Sequence, residues 1–214
     1  LHRIAGWASA DIIQKCIDAG ADVNALNKDH ETPLFRALQT RNRTNFRVFL
    51  RNEANRNVTN VLGLGPMYFA LLQGPVFVDD LCSYATFGIA KSKLFNPNKL
   101  NKFGNNQLQE LVESMPEKFI HISKDSLELL FNHGLNINNQ NKLGNSLMHM
   151  ILNKTQTIVP RKGLLPNLKP LLFCLLSHHP KMKITNENNQ TSLDLLKQAS
   201  SLIPLFAEFA NNAQ

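Results

Sequence analysis

Cysteine is scarce in this chain: Cys16, Cys82 and Cys174 are the only three in 214 residues. Three unevenly spaced thiols exclude a disulfide framework, and reduced cysteines suit a cytosolic setting. Tryptophan occurs once, at Trp7. No apolar run approaches the about 20 residues that a bilayer-spanning helix needs, so no membrane span is expected, and no signal peptide is visible. The three cysteines and seven histidines show neither CxxC nor HxxxH spacing. No metal is therefore expected, and His178-His179 reads as a pair favoured by a helix end. Gly63-Leu64-Gly65-Pro66 lacks the lysine of a phosphate loop, so no cofactor is expected. Acidic residues number 16 against 23 basic ones, a net charge of +7. That sign points to nucleic acid or to an acidic protein. The basic residues are dispersed and few aromatics lie beside them, which leaves nucleic acid only non-specific attraction. A protein is the preferred partner; a solvated face is the default reading of the basic residues, and an acidic partner the sharper one.

What the chain has is a repeat. Residues 28–38, KDHETPLFRAL, read as a turn, a helix cap and a first helical turn. Thr32 is placed to accept a backbone N–H at the N-cap, and Pro33 suits the first helical position. Leu34, Ala37 and Leu38 then share one face. Upstream, Gly20 suits a left-handed helix end before Ala21-Asp22-Val23-Asn24. The same register returns at Pro66-Met67, and the pentapeptides Asn101-Lys102-Phe103-Gly104-Asn105 and Asn141-Lys142-Leu143-Gly144-Asn145 are near copies. A last copy is Asn189-Gln190-Thr191-Ser192-Leu193-Asp194. Anchors at Leu1, Leu34, Met67, Leu108, Met148 and Leu193 give repeat lengths of 33, 33, 41, 40 and 45.

This helix–turn–helix period, with Thr32-Pro33-Leu34-Phe35 and Ser146-Leu147-Met148-His149 for one signature and Gly20-Ala21-Asp22-Val23-Asn24 for the other, resembles the ankyrin repeat. The resemblance implies an all-α repeat solenoid over a single domain, 1–214, with a truncated first repeat and a capping last one. The sequence is expected to be part of something longer, since it opens inside a motif. Residues 1–8 are expected as the first helix of repeat one and 11–19 as its second, with Cys16 and, in repeat five, Cys174 as buried thiols. Arg41, Arg43, Arg47, Arg51 and Arg56 are expected to form a basic surface. In repeats three, four and five the extra residues fall between the two helices. Longer helices are expected in the first two cases, and a protruding loop over 155–167, with Pro160, Gly163 and Pro166, in the third. Asp194, Lys197, Gln198 and Glu208 make repeat six polar enough to cap the array. The histidine of the signature, His149, is implied to hydrogen-bond across repeats.

Catalysis finds little support. Cys82, with Asp79, Asp80 and His121 in the same third of the chain, is the one candidate thiol. Two neighbouring carboxylates would raise its pKa, the reverse of activation. The chain therefore reads as a non-enzymatic module for protein–protein interaction, acting as a monomer. The alternative is part of an effector enzyme, with a Cys–His activity or with catalysis in a domain outside this sequence. The family habit implies binding through hairpin tips, at 25–31, 58–64, 99–105, 139–145 and 184–190, and through the concave face of the first helices. Candidate partner-binding residues are Arg3, Trp7, Arg36, Phe69, Gln73, Glu110, Met150 and Lys154, with Lys102 and Lys142 at the tips. Phe69 and Met150 would be apolar anchors. The concave face is preferred over the 155–167 edge. Degenerate repeats and heavy Asn and Lys usage resemble ankyrin proteins of intracellular bacteria or large DNA viruses, which implies capture of a host protein in the host-cell cytoplasm.

Overall fold

The computed structural model describes residues 1–83, 95–114, 121–158 and 165–198, with residues 204 and 207. Ten helices occur among them: α1 (Ala10–Asp18), α2 (Pro33–Gln39), α3 (Arg43–Arg51), α4 (Pro66–Gln73), α5 (Pro75–Ser83), α6 (Gln107–Ser114), α7 (Lys124–Asn132), α8 (Leu147–Ile158), α9 (Leu165–Ser177) and α10 (Ser192–Gln198). The described residues add one isolated antiparallel bridge, Thr185 with Thr191. The chain divides into two compact units, Leu1–Lys99 and Leu100–Gln214.

In both units first helices pack on first helices and second helices on second. In unit 1, α2 stacks on α4, and α1, α3 and α5 follow one another; in unit 2, α6, α8 and α10 form one layer and α7 and α9 the other. The anchor register accounts for this. Leu34, Met67, Leu108, Met148 and Leu193 are each the second residue of their helix. The first four are fully buried, and each such side chain contributes about 1.5–3 kcal/mol. Phe46, Val48, Phe49 and Leu50 bury α3 as its pattern predicts.

The two units start their first helices by different chemistry. Unit 1 uses proline at the first helical position, Pro33 and Pro66, where a missing N–H costs nothing. Thr32 stands at the N-cap, but its hydroxyl makes no capping bond and is buried without a hydrogen-bond partner. The expected cap is thus corrected: the Phe35 N–H goes to the Thr32 carbonyl at 3.0 Å instead. Unit 2 uses reciprocal capping boxes. Asn106 N–H donates to Gln109 Oε1 at 3.0 Å while Gln109 N–H donates to Asn106 Oδ1 at 2.9 Å. Thr191 and Asp194 do the same at 3.0 and 3.2 Å. Ser146 N–H donates to His149 Nδ1 at 3.2 Å.

Several expectations change. Residues 1–8 form turns rather than a helix, with three- and four-residue closures mixed at Ile4 to Leu1 and Ala5 to Leu1. Gly6 lowers helix propensity there, and a Cβ on it would lie 2.7 Å from the Thr40 side chain. Cys174 is buried, whereas Cys16 is only half-buried. The arginine surface also shrinks. Arg43 and Arg47 pair with Asp80, and Arg56 is fully buried, with Nη1 donating to the Leu81 carbonyl at 2.9 Å. The 155–167 loop is helical at both ends, through Ile158 in α8 and from Leu165 in α9. Its middle, 159–164, the extensions at 84–94 and 115–120, and Glu208 lie outside the described residues.

Candidate partner-binding surface

The hairpins between repeats are built on one residue type. Asn27, Asn60, Asn101, Asn141 and Asn186 stand seven residues ahead of the anchors. Each Oδ1 accepts the N–H groups two and four residues on, as in Asn141 to Leu143 and Asn145, both at 3.0 Å. Asn27, Asn60, Asn101 and Asn186 repeat that pair of bonds. Such side-chain acceptors replace backbone partners that a tight turn lacks. The amide nitrogens then bond neighbouring hairpins: Asn60 to Glu31 at 3.2 Å, Asn141 to Asn105 and Asn186 to Asn145 at 3.0 Å.

Backbone bonds lock adjacent tips in register. Val61 N–H reaches the Asp29 carbonyl at 3.0 Å in unit 1; in unit 2, Lys142 reaches Phe103 at 2.9 Å and Glu187 reaches Leu143 at 3.1 Å. This approach needs glycine. Gly104 and Gly144 have φ of +79° and +70°, and a Cβ on Gly144 would sit 2.9 Å from Asn186 Cα.

Rigid tips carry apolar side chains into solvent. In unit 2, Phe103 is 56% exposed and Leu143 58% exposed, at equivalent positions on adjacent hairpins. Lys102 and Lys142 are exposed beside them, with Lys102 Nζ 5.0 Å from the Phe103 ring centroid. In unit 1, Leu26, Val61 and Leu62 are exposed on the corresponding loops. These apolar tip residues were not among the candidates from sequence, although Leu62, Phe103 and Leu143 each stand two residues after their asparagine.

The first-helix candidates divide. In unit 1, Arg3 and Arg36 are exposed and line a cleft of about 310 Å³ with His2, Asp29 and Glu31. Trp7 is 75% exposed, its Nε1–H donating to the Arg3 carbonyl at 2.7 Å. Gln73 and Phe69 are half-buried, and the Phe69 ring sits edge-on to Phe35 and Tyr68 at 5.5 and 4.8 Å. In unit 2, Met150 is 3% exposed, which corrects its expected role as an open anchor: α8 turns it into the core. Glu110 is likewise buried, accepting from Asn101, Asn105 and Ser114. Lys154 pairs with Glu113 at 3.0 Å from α8 to α6.

His149 is fully buried between repeats, with Nδ1 near both Ser146 and Ser192 hydroxyls and Nε2 3.1 Å from the Gln190 carbonyl. Gln109 is its counterpart, donating to the carbonyls of Asn139 and Asn145. Cys82 shows the reverse of nucleophile activation. Burial, with Asp79 adding to it, pushes the thiol up to about 12. Asp80 is held by two arginines, and Asp79 accepts the Ser83 hydroxyl at 2.8 Å.

The chain is similar to the crystal structure of EF0377, an ankyrin repeat protein, with a TM-score of 0.68 at 19% identity, over 96% of this chain and 94% of that one. The fold is therefore the all-α ankyrin repeat. No family model matches the sequence, and no curated protein matches it. Among the described residues no helix is long and apolar enough to cross a membrane.

Proposed function

We propose that the chain is a non-catalytic, monomeric protein-binding module of 1–214 that holds an acidic partner against its hairpin tips. The observation that carries this is the pair Phe103 and Leu143. Two large apolar side chains stand in solvent on hairpins bonded backbone to backbone, with Lys102 and Lys142 alongside. Rigid apolar residues give contact area at little ordering cost, and the flanking lysines steer an acidic surface towards them. The partner is read as a host protein met in a reducing cytoplasm, on the strength of the unequal, degenerate repeats. Asparagine content no longer adds to that reading, because the hairpins account for much of it.

The test is capture from host-cell lysate by the intact chain and by a Phe103→Ser, Leu143→Ser variant. The variant should keep its helical circular dichroism and lose the proteins that the parent retains. Lys102→Glu with Lys142→Glu should weaken capture, and more so at low salt. An unchanged set of captured proteins with the double serine variant would move binding away from the tips.

A further inference from the structure

We infer that Glu128, Cys174 and His178 form a binding site for a thiophilic divalent transition metal, of the zinc class, between α7 and α9. The site uses none of the hairpin-tip residues and does not rest on the binding reading above. The three potential ligand atoms lie within 4.8 Å of one another, and His178 Nε2 is 3.0 Å from Glu128 Oε2. Cys174 lies in the last turn of α9 and His178 is the first residue past it, its N–H closing on the Leu175 carbonyl at 3.3 Å. Glu128 meets them from α7. The motif is a Cys-x3-His pair, with its third member 46 residues upstream of the cysteine.

Three features favour a metal of this class. One thiolate, one imidazole and one carboxylate make the mixed S/N/O set that suits zinc rather than magnesium or calcium. The geometry is close to what is needed, since bonds of about 2.0–2.3 Å place tetrahedral ligands roughly 3–4 Å apart. The imidazole is also held in place: its ring stacks on Phe131 with centroids 3.8 Å apart and planes 26° apart. Cys174 is buried while Glu128 and His178 are half-buried, so a metal has an entry side and a dry sulfur side. Three protein donors leave a fourth position for water.

Without metal the same groups hold one another, because both Cys174 and His178 hydrogen-bond Glu128. On binding, an Sγ–metal bond replaces the S–H bond and the proton leaves to solvent. Thiolate and carboxylate then balance the dication. Lys124, whose charge is felt by Glu128 and Cys174, opposes the cation and limits its affinity.

The reduced 214-residue chain is titrated with cobalt(II), then with zinc(II) in competition. One equivalent of cobalt should give a thiolate-to-metal charge-transfer band, bleached by zinc and untouched by excess magnesium. Cys174→Ser should abolish the band. Glu128→Gln and His178→Gln, at half-buried positions, should each weaken binding at least tenfold with the helical signal unchanged, and they decide the matter even where the serine variant folds poorly. No band in the parent chain, a band surviving in Cys174→Ser, or parental affinity in both Gln variants would overturn the assignment.

Discussion

Arg43 on α3 grips Asp80 on α5 through two bonds, Nε to Oδ2 at 2.6 Å and Nη2 to Oδ1 at 3.1 Å. The partners are unequally placed: the Asp80 side chain is 3% exposed and that of Arg43 is 43% exposed. That hydrogen bond to Asp80 raises the pKa of Arg43. Removing one partner costs most when the survivor is buried. Arg43→Ala leaves a buried carboxylate with Arg47 alone, 3.3 Å away, and is expected to cost about 1–3 kcal/mol. Asp80→Ala leaves two arginines able to reach water and should cost less than about 1 kcal/mol. Urea unfolding of the two variants tests this order, and equal losses would contradict it.

The asparagine at each hairpin start makes a graded prediction. Asn141→Ala removes the acceptor for Leu143 and Asn145 N–H groups and the donor to Asn105 Oδ1. A loss of about 1–3 kcal/mol is expected. Asn141→Asp keeps both acceptor bonds and loses only the donor, so it should fall between Ala and the parent chain. Unfolding midpoints that place Asp below Ala would show that the ladder between hairpins outweighs the turn.

Much of this fold was legible because it is written in local rules. Proline at the first helical position, glycine at helix ends and the spacing of Leu34, Met67, Leu108 and Met148 all act within a few residues, and the helices begin where these residues say. The misses concern side chains whose fate depends on a neighbour far along the chain. Arg56 reads as a surface charge until Leu81 accepts from it. Met150 reads as an open-face anchor until α6 and α10 close over α8. The tip residues Phe103 and Leu143 could have been found: the recurring asparagine fixes the hairpin, and the residue two places on points outward at both. Glu128 could not, since nothing in its local sequence connects it with Cys174 and His178.

His149 ties stability to pH. Its Nδ1 accepts the Ser146 N–H, so Nε2 carries the proton that is donated to Gln190, and the ring is neutral. Burial holds its pKa below the ordinary histidine value. The unfolded chain therefore binds the extra proton first. The contribution is complete above the unfolded value of about 6.5 and is lost as pH falls through that value towards the lower folded one. Between about pH 7 and pH 5, the unfolding free energy should drop more steeply in the parent chain than in His149→Gln. Parallel pH profiles would remove His149 as the cause.

Gly134 and Gly144 separate backbone strain from crowding. Both have positive φ, +83° and +70°, where an L side chain is disfavoured. A Cβ on Gly134 meets nothing within 4 Å, while one on Gly144 would lie 2.9 Å from Asn186 Cα and 3.1 Å from Glu187 N. Those contacts are backbone atoms of the next hairpin, held by the Glu187 to Leu143 bond at 3.1 Å, so neither side moves without breaking it. Gly134→Ala should cost the strain alone, about 1–2 kcal/mol. Gly144→Ala should cost that plus the lost inter-hairpin bond, about 1 kcal/mol or more in addition. It should also speed amide exchange at Glu187, whereas Gly134→Ala should leave that amide protected. Equal losses, with Glu187 still protected in Gly144→Ala, would mean that the hairpins tolerate a methyl group between them and that the tip register depends less on glycine than these distances require.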